Sequence, residues 1–241
     1  MKISIITPSL NHGKYIKDCI ESVLKQGYSN FEHIIVDGDS SDNTDEVLKK
    51  YSHVKIIKEK DTGPSSAINK GFGMATGEIV GWLNADDYYD KNVFSKINSV
   101  FEKDNDTGFV YGNLTFVDIN KKIILKDITK KFNYRSLIDE SPDIRQPSSF
   151  YKTSLVKKVN YLDENLKIVF DYDLFIKLSK ITDPIYLDEN IAFYRDYSDT
   201  ITRKNVRKQA LEILKVSRRY KGKLISPITR IVLYRLIKGV L

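Results

Sequence analysis

The chain has 241 residues, of which 41% are hydrophobic and 29% charged, with a formal net charge of +7. These fractions are typical of a globular protein, and no apolar run approaches the ~20 residues that span a bilayer. The first residues are too strand-like for a signal peptide, so we expect a cytoplasmic protein. The single cysteine, Cys19, excludes an internal disulfide, and its place in a predicted helix favours a buried structural thiol.

The positive charge is concentrated at the end of the chain. Residues 201–241 contain twelve lysines and arginines and one acid, Glu212, which gives a net charge of +11. The first 200 residues therefore carry a net charge of −4. A mildly acidic body with a strongly basic tail points to an anionic surface as a partner of the tail.

Over the first 115 residues, short β-rich runs alternate with helical stretches, which predicts a parallel α/β sheet. Strands are predicted at residues 3–7, 33–36, 54–58 and 79–83. Helices are predicted at residues 15–26, 43–51, 65–75 and 92–103, because apolar residues recur there at three- and four-residue spacing.

A polar cluster follows each of the four predicted strands. The clusters are Thr7-Pro8-Ser9, Asp37-Gly38-Asp39, Glu59-Lys60-Asp61 and Asn84-Ala85-Asp86-Asp87. In open sheets of this type ligands bind beyond the carboxyl ends of the strands, so we expect the clusters to converge. The adjacent carboxylates of Asp86 and Asp87 repel each other unless a cation or several donors neutralise them. Helix capping is the alternative for these acids and for Asp39 and Asp42.

Later elements are less regular. Two β-rich runs between residues 109 and 126 flank Asn120-Lys121-Lys122, which predicts a hairpin, and helical spacing returns at residues 171–178. Residues 203–219 are predicted to form a basic amphipathic helix. A second helix is predicted from Ser226-Pro227 to residue 241, with Ser226 as its N-cap. This last helix either lies in a membrane interface or docks on the body or on a partner subunit.

Asp86 is the residue that we expect to bind a metal. A divalent cation such as Mg or Mn prefers oxygen ligands and completes its shell with substrate phosphates, an arrangement that Asp86 suits with help from Asn84 or Asp87. Asp37 and Asp39 are better suited to accept hydrogen bonds from a base or a ribose.

Other common sites are disfavoured. Neither G-x-x-x-x-G-K-[ST] nor G-x-G-x-x-G occurs, which argues against an ATPase or a dehydrogenase. His12, His33 and His53 lack paired metal spacing and are expected to be ordinary surface or core residues.

Several segments together resemble the family 2 glycosyltransferases with the GT-A fold. They are residues 4–11 (SIITPSLN), 20–26 (IESVLKQ), 31–44 (FEHIIVDGDSSDNT) and 83–87 (LNADD), followed by 146–150, 162–164 and 170–174. The resemblance implies an α/β GT-A fold, an open, mostly parallel, Rossmann-like sheet flanked by helices, here with a basic C-terminal helical extension. It also implies a nucleotide-sugar-binding half at residues 1–115, an acceptor-binding half at 116–200 and a basic amphipathic tail at 201–241.

The resemblance also assigns roles to single residues. On the family pattern the nucleotide side of the cleft is formed by Thr7, Pro8, Asn11, Asp37, Asp39, Asp61 and Asn69. Asn84, Ala85 and Asp86 match the DxD signature, with Asp86 as the metal ligand, and Asp171 matches the catalytic base. An inverting transfer needs one carboxylate to take the acceptor proton and no second carboxylate nucleophile.

The chain departs from the family pattern at three places. Asp37-Gly38-Asp39 stands where many relatives have Asp-Asp-Gly, and the DxD signature opens with Asn84. Tyr194-Arg195-Asp196-Tyr197 stands where relatives often carry Arg-x-His, and Tyr197 cannot replace a neutral imidazole as a metal ligand.

The predicted activity is inverting transfer of a sugar from a nucleotide-diphospho-sugar, with UDP favoured, to a hydroxyl of a glycan or lipid-linked acceptor. Mn or Mg is the expected cofactor, and cell-surface polysaccharide synthesis (O-antigen, capsule or exopolysaccharide) the expected role. The tail suggests a peripheral position on the cytoplasmic face of the inner membrane. Two alternatives are a sugar nucleotidyltransferase, which lacks here a basic glycine-rich loop, and a nucleic-acid-binding protein. Only Tyr220 and Tyr234 interleave the basic tail, so we expect no nucleic-acid partner.

Overall fold

A computed structural model describes residues 1–140 and 145–238, and within them nine strands form one sheet. The strands are β1 (Ile3–Ser9), β2 (Phe31–Asp37), β3 (Val54–Lys58), β4 (Ile79–Trp82), β5 (Tyr88–Tyr89), β6 (Phe109–Val117), β7 (Ile123–Asp127), β8 (Ser149–Lys152) and β9 (Ile185–Arg195). The helices are α1 (Ile16–Leu24), α2 (Thr44–Leu48), α3 (Pro64–Met74), α4 (Val93–Lys103), α5 (Tyr134–Asp139), α6 (Thr153–Lys158), α7 (Phe170–Ser179), α8 (Ile201–Lys204), α9 (Val206–Arg219) and α10 (Pro227–Lys238).

The first four strands form the parallel unit that the sequence predicts. Their order is β3-β2-β1-β4, and each neighbouring pair is parallel. β1 and β2 are buried along nearly their whole length, which explains their continuous apolar runs. Because the strands are parallel, their carboxyl ends and the polar clusters that follow them lie along one edge.

The remaining strands correct one part of the predicted sheet. β8 is antiparallel to both β4 and β6, β7 is antiparallel to β6, and β5 is antiparallel to β9. The sheet is therefore mixed rather than mostly parallel, while the predicted α/β class is confirmed. The β6–β7 pair needs only a tight turn at residues 118–122, because antiparallel strands can be joined by short loops.

Large buried side chains pack on the sheet. One hydrophobic cluster contains Trp82, Phe109 and Phe175, and another contains Phe94 and Phe150. Fully burying a side chain of this kind contributes roughly 1.5–3 kcal/mol. The clusters hold the helices against the strands and so fix the loops at the strand ends.

Cys19 and His33 lie in this interior. Cys19 is a fully buried free thiol, as predicted, and burial raises its pKa to about 12. Burial lowers the pKa of His33 to about 3, so this histidine is neutral at physiological pH. Both are core residues rather than reactive groups.

The basic tail forms α8, α9 and α10, and α10 docks on the body. The predicted helix at 203–219 is interrupted at Asn205, between α8 and α9. Ser226 caps α10 as predicted, since its hydroxyl accepts the Thr229 N–H at 3.3 Å. Ile228 and Val232 are buried in the same cluster as Trp82. One face of the helix therefore packs on the protein; residues 239–241 of the predicted helix lie outside the described residues. None of the described helices has the length and apolar content needed to cross a membrane.

Candidate active site

The loops after β1 and β2 are bonded into one platform. The Asn11 side-chain oxygen accepts the Ser41 N–H at 2.8 Å, and the Asn11 N–H donates to the Ser40 hydroxyl at 2.8 Å. Asp42 accepts the Gly13 N–H at 2.9 Å. Asn11 has a left-handed backbone with φ of 58°, a conformation that asparagine tolerates better than most residues. These bonds join the loops at the ends of the two strands.

Three acidic residues lie at one corner of this platform. Asp37 is fully buried, and its carboxylate accepts both the N–H and the hydroxyl of Ser40. Asp39 is exposed and has a left-handed backbone with φ of 72°. A Cβ at Gly38 would lie 2.8 Å from an Asp61 carboxylate oxygen, so a glycine is required for this close approach. Asp39 and Asp61 are thus the acids of this corner that a ligand can reach directly.

Two of the predicted nucleotide-lining side chains are engaged elsewhere. The Thr7 hydroxyl lies 2.8 Å from His33 Nε2, and the whole residue is fully buried, so Thr7 lies beneath the surface that a ligand can reach. The Asn69 amide donates to the Leu162 carbonyl at 3.1 Å and accepts the Leu162 N–H at 3.0 Å. Pro8 is half-buried at the end of β1. Asn69 therefore joins α3 to the 162–164 turn.

Asp87 and Ala85, in the loop after β4, have structural positions. Asp87 is fully buried, and its carboxylate accepts the Arg195 N–H at 2.9 Å and the Asn84 amide N–H at 3.2 Å. Burial, followed by the charge of Asp86, raises the pKa of Asp87 well above its ordinary value. Ala85 is buried in the cluster around α1 and β2.

Asp86 points the other way and is half-buried. One of its carboxylate oxygens accepts the Tyr197 hydroxyl at 2.9 Å, and its main-chain carbonyl accepts Arg195 Nη1 at 2.9 Å. Burial and the Asp86 carboxylate raise the pKa of Tyr197, which stays protonated and able to donate. Tyr197 therefore contacts the predicted metal ligand. In the sequence, only the position of Tyr197 in the 194–197 segment, which departs from the family pattern, pointed to this contact.

The donor set at this loop fits a hard divalent cation. Within residues 1–140 and 145–238, no three His, Cys, Asp or Glu side chains form a cluster able to hold a metal. Asp86 supplies a carboxylate, and Asn84 donates its amide N–H groups to Asp87 and Gln146, which leaves its oxygen available. Mg and Mn accept such a sparse oxygen shell when substrate phosphates complete it.

Arg195 connects this loop to α1. Its side chain is almost fully buried, and Nη2 donates to the Asp18 carboxylate at 2.9 Å. The guanidinium lies 4.7 Å from the ring centre of Tyr15, and the Tyr15 and Tyr197 rings are 5.6 Å apart. The sequence analysis named Arg195 only as part of the 194–197 segment and did not name Asp18, because their separation along the chain hides the pairing.

Asp171 lies in the first turn of α7, next to the end of β4. The rings of Trp82 and Phe170 are 6.1 Å apart, which places the start of α7 against the last residue of β4. Burial raises the pKa of Asp171 to about 6, against the opposing effect of the Tyr172 N–H, which donates to it at 2.8 Å. Such a carboxylate is ionised at neutral pH but more basic than usual, as a general base requires.

Comparison with known proteins gives a consistent result. A family model described as Glycosyl transferase family 2 matches residues 4–159. An uncharacterized glycosyltransferase of Nostoc sp. is 36% identical over 129 residues, covering 52% of this chain and 40% of that protein. An uncharacterized glycosyltransferase of Rickettsia typhi is 30% identical over 189 residues, covering 75% of this chain and 59% of that protein. The chain thus spans about half the length of these relatives.

Two solved structures share the fold. Staphylococcus aureus TarS in complex with UDP-GlcNAc superposes with a TM-score of 0.68 at 21% identity, covering 98% of this chain and 72% of that one. The Pyrobaculum calidifontis mannosyltransferase PcManGT, in complex with GDP-Man and Mn2+, gives a TM-score of 0.69 at 16% identity, covering 97% and 68%. These likenesses confirm the predicted GT-A fold.

Proposed function

The chain belongs to glycosyltransferase family 2, and from that premise we propose that it transfers a sugar from a nucleotide-diphospho-sugar to an acceptor hydroxyl, with inversion at the sugar carbon. The observation that carries the proposal is that the end of β4 adjoins two segments that each carry a carboxylate. Asp86 lies in the loop that follows this strand, and Asp171 lies beside the strand through the packing of Phe170 on Trp82. One carboxylate is suited to a metal and the other to a proton.

The platform formed by the β1 and β2 loops is the proposed nucleotide site. Asp39 and Asp61 accept hydrogen bonds from the base or ribose in this proposal, Asn11 and Pro8 form the adjoining wall, and the buried Thr7 supports that wall from behind. Asp37 supports this wall through Ser40. A UDP-sugar is the proposed donor, and the TarS complex with UDP-GlcNAc is consistent with that choice.

The mechanism assigns one step to each group. Asp171 accepts the proton of the acceptor hydroxyl as that oxygen bonds to the anomeric carbon, and the bond from this carbon to the diphosphate breaks with its electron pair on the leaving nucleoside diphosphate. A divalent cation, held by Asp86 with Asn84, would neutralise the negative charge of the diphosphate. With a pKa of about 6, Asp171 then loses the proton to water at neutral pH.

The proposed acceptor is a glycan or lipid-linked glycan in cell-surface polysaccharide synthesis. The nucleotide-binding half would be residues 1–115, the acceptor half 116–200 and the tail 201–241. The outer face of α10 exposes Leu233, Tyr234 and Ile237 beside basic residues, which supports contact of the tail with an anionic membrane.

A thermal-shift panel tests the donor site. UDP with Mn should raise the melting temperature of the full chain, and Asp86→Ala should remove the part of the shift that requires Mn. Glu46→Ala, at an exposed acid on α2, is the matched control and should show the same melting-temperature shift as wild type. If neither UDP nor GDP with Mn or Mg protects the wild-type protein, the proposed function is wrong.

A further inference from the structure

The hairpin after β6 carries an exposed apolar surface that the proposed reaction does not use. We call residues 119–131 the β7 strip. Five aliphatic side chains of this strip are between 46% and 75% exposed: Ile119, Ile123, Ile124, Leu125 and Ile128. Successive strand residues point to opposite faces, so the exposure of Ile123, Ile124 and Leu125 in a row means that the described residues cover neither face of β7.

The same strip is rich in lysine. Lys121, Lys122, Lys126, Lys130 and Lys131 lie among the aliphatic residues, all of them exposed. Lys121 pairs with Asp18, whereas the other four form no ion pair within the described parts of the chain. The one acid within the strip, Asp127, is paired with Arg145. The strip therefore presents apolar and unneutralised positive groups together.

We propose that the β7 strip rests on an anionic lipid surface. Aliphatic side chains enter the headgroup boundary while the lysine stems extend to the anionic headgroups, so one surface uses both properties. A second copy of the chain would be a poorer occupant, because pairing two β7 edges would bring their lysines together. The proposal rests on the proposed function, and it makes the acceptor class lipid-linked.

The strip is connected to the candidate active site. Lys121 Nζ lies 2.6 Å from the Asp18 carboxylate, which also accepts Arg195 Nη2 at 2.9 Å. Arg195 in turn donates to the Asp86 carbonyl at 2.9 Å. The turn of the hairpin is thus connected, through Asp18 and Arg195, to the loop that carries the proposed metal ligand. A bilayer under the strip would bring the headgroup of a lipid-linked acceptor toward that loop.

Vesicle binding of the full-length chain tests the proposal. The probes are phosphatidylcholine vesicles with and without phosphatidylglycerol, and the double variant Ile124→Ser/Ile128→Ser should bind the anionic vesicles at least about tenfold more weakly than wild type. Lys122→Gln/Lys126→Gln should reduce the preference for the anionic vesicles, and the basic tail should account for the preference that remains. Ile56→Ser/Met74→Ser, at exposed apolar sites on β3 and α3, is the matched control and should bind like wild type.

A separate variant distinguishes vesicle binding by the C-terminal tail from vesicle binding by the β7 strip. Leu233→Ser/Ile237→Ser alters the exposed face of α10 and leaves β7 intact. If this variant abolishes vesicle binding while the β7 variants bind like wild type, the proposal is wrong. It is also wrong if Ile124→Ser/Ile128→Ser breaks a wild-type dimer in sedimentation and vesicles are not bound.

Protection by UDP and Mn is measured on the same preparations. The β7 variants should keep the wild-type melting temperature and the wild-type nucleotide shift, because their altered side chains are exposed and remote from the donor platform. Lost vesicle binding with retained protection supports the β7 proposal. Absence of protection in the wild-type protein contradicts the proposed function instead, and the vesicle result still decides whether the strip binds lipid.

Discussion

The platform formed by the β1 and β2 loops and the loop after β4 are two parts of the candidate site, and they are built in different ways. In the platform, Asn11 bonds to Ser41, 30 positions along the chain. In the β4 loop, Asp86 is held by Arg195 and Tyr197, which are 109 and 111 positions away. The platform satisfies most of its polar groups internally, whereas the β4 side keeps Asp86 and Asp171 available. We thus assign donor binding to the platform, whose bonds join segments close in sequence. We assign the chemistry to the loop after β4 and Asp171, where the contacts join segments distant in sequence.

The largest expected effect separates chemistry from binding. Asp171→Asn should lower the transfer rate by about 10²–10⁴ while donor affinity, measured by calorimetry, stays within about twofold. The reason is that the amide cannot accept the acceptor proton. Loss of donor affinity in this variant would contradict the assignment of donor binding to the platform and of proton transfer to Asp171.

The same substitution should stabilise the fold at neutral pH. The folded pKa of Asp171 is raised to about 6, so its favourable contribution to stability is present below about pH 4 and is lost as the pH rises through 6. An ionised Asp171 therefore costs stability at pH 7, and the amide removes that cost. The control Asp173→Asn, which removes the buried negative charge that pairs with Arg219 and Lys177, should instead lower stability by about 1–3 kcal/mol and keep turnover per folded molecule.

The pH dependence of the transfer rate tests the role of Asp171 without a substitution. Because Asp171 must be ionised to accept a proton, kcat/KM should fall about tenfold per pH unit below an apparent pKa of about 6. Nucleotide protection measured over the same range should change less, since the donor platform does not include Asp171. An acid limb that persists in Asp171→Asn would assign the pH dependence to another group.

Tyr197→Phe should give a smaller effect on metal binding. Removing the hydroxyl that orients Asp86 should weaken Mn affinity about tenfold in the presence of UDP, measured by electron paramagnetic resonance. Tyr15→Phe is the matched control, because its ring packs on Tyr197 and Arg195 while its hydroxyl does not contact Asp86. Equal Mn affinity in wild type and Tyr197→Phe would show that the hydrogen bond does not position the carboxylate.

The smallest effect concerns the donor platform. Asn11→Ala should lower the free energy of unfolding by about 1–2 kcal/mol, because it removes the bonds to Ser41 and the left-handed preference together. Asn11→Gly removes only the bonds and should cost less. Denaturant melts without nucleotide measure both values, and equal losses would mean that the backbone conformation contributes little.

The sequence predicted which polar segments lie at one edge of the sheet better than it predicted their side-chain contacts, and the reason is physical. Parallel strands place their carboxyl ends together, so the acids after β2 and β4 could be assigned to one edge before their contacts were known. The pairing of Asp86 with Tyr197 crosses more than a hundred positions, and no local periodicity reports it. Thr7 shows a different limit. Its position in the motif predicts where the residue lies in the fold, but it does not predict that the hydroxyl points inward to His33.

The direction of β8 and the docking face of α10 could not be predicted from the sequence either. β8 is a four-residue strand, too short for its direction to be read from pattern alone. α10 is apolar on the face that docks through Ile228 and Val232 and also on the face that exposes Leu233 and Ile237. Its sequence therefore could not say which face would meet the body.

Arg195 has a consequence for the order in which the protein folds. The family-matched segment ends at residue 159, yet the buried Asp87 carboxylate is completed by the Arg195 N–H, and Asp18 is paired by the Arg195 side chain 177 positions away. During synthesis the early strands emerge long before this residue. The nascent α/β half therefore holds Asp87 through Asn84 alone, and the hydrogen bonding of this carboxylate is completed only when β9 is in place.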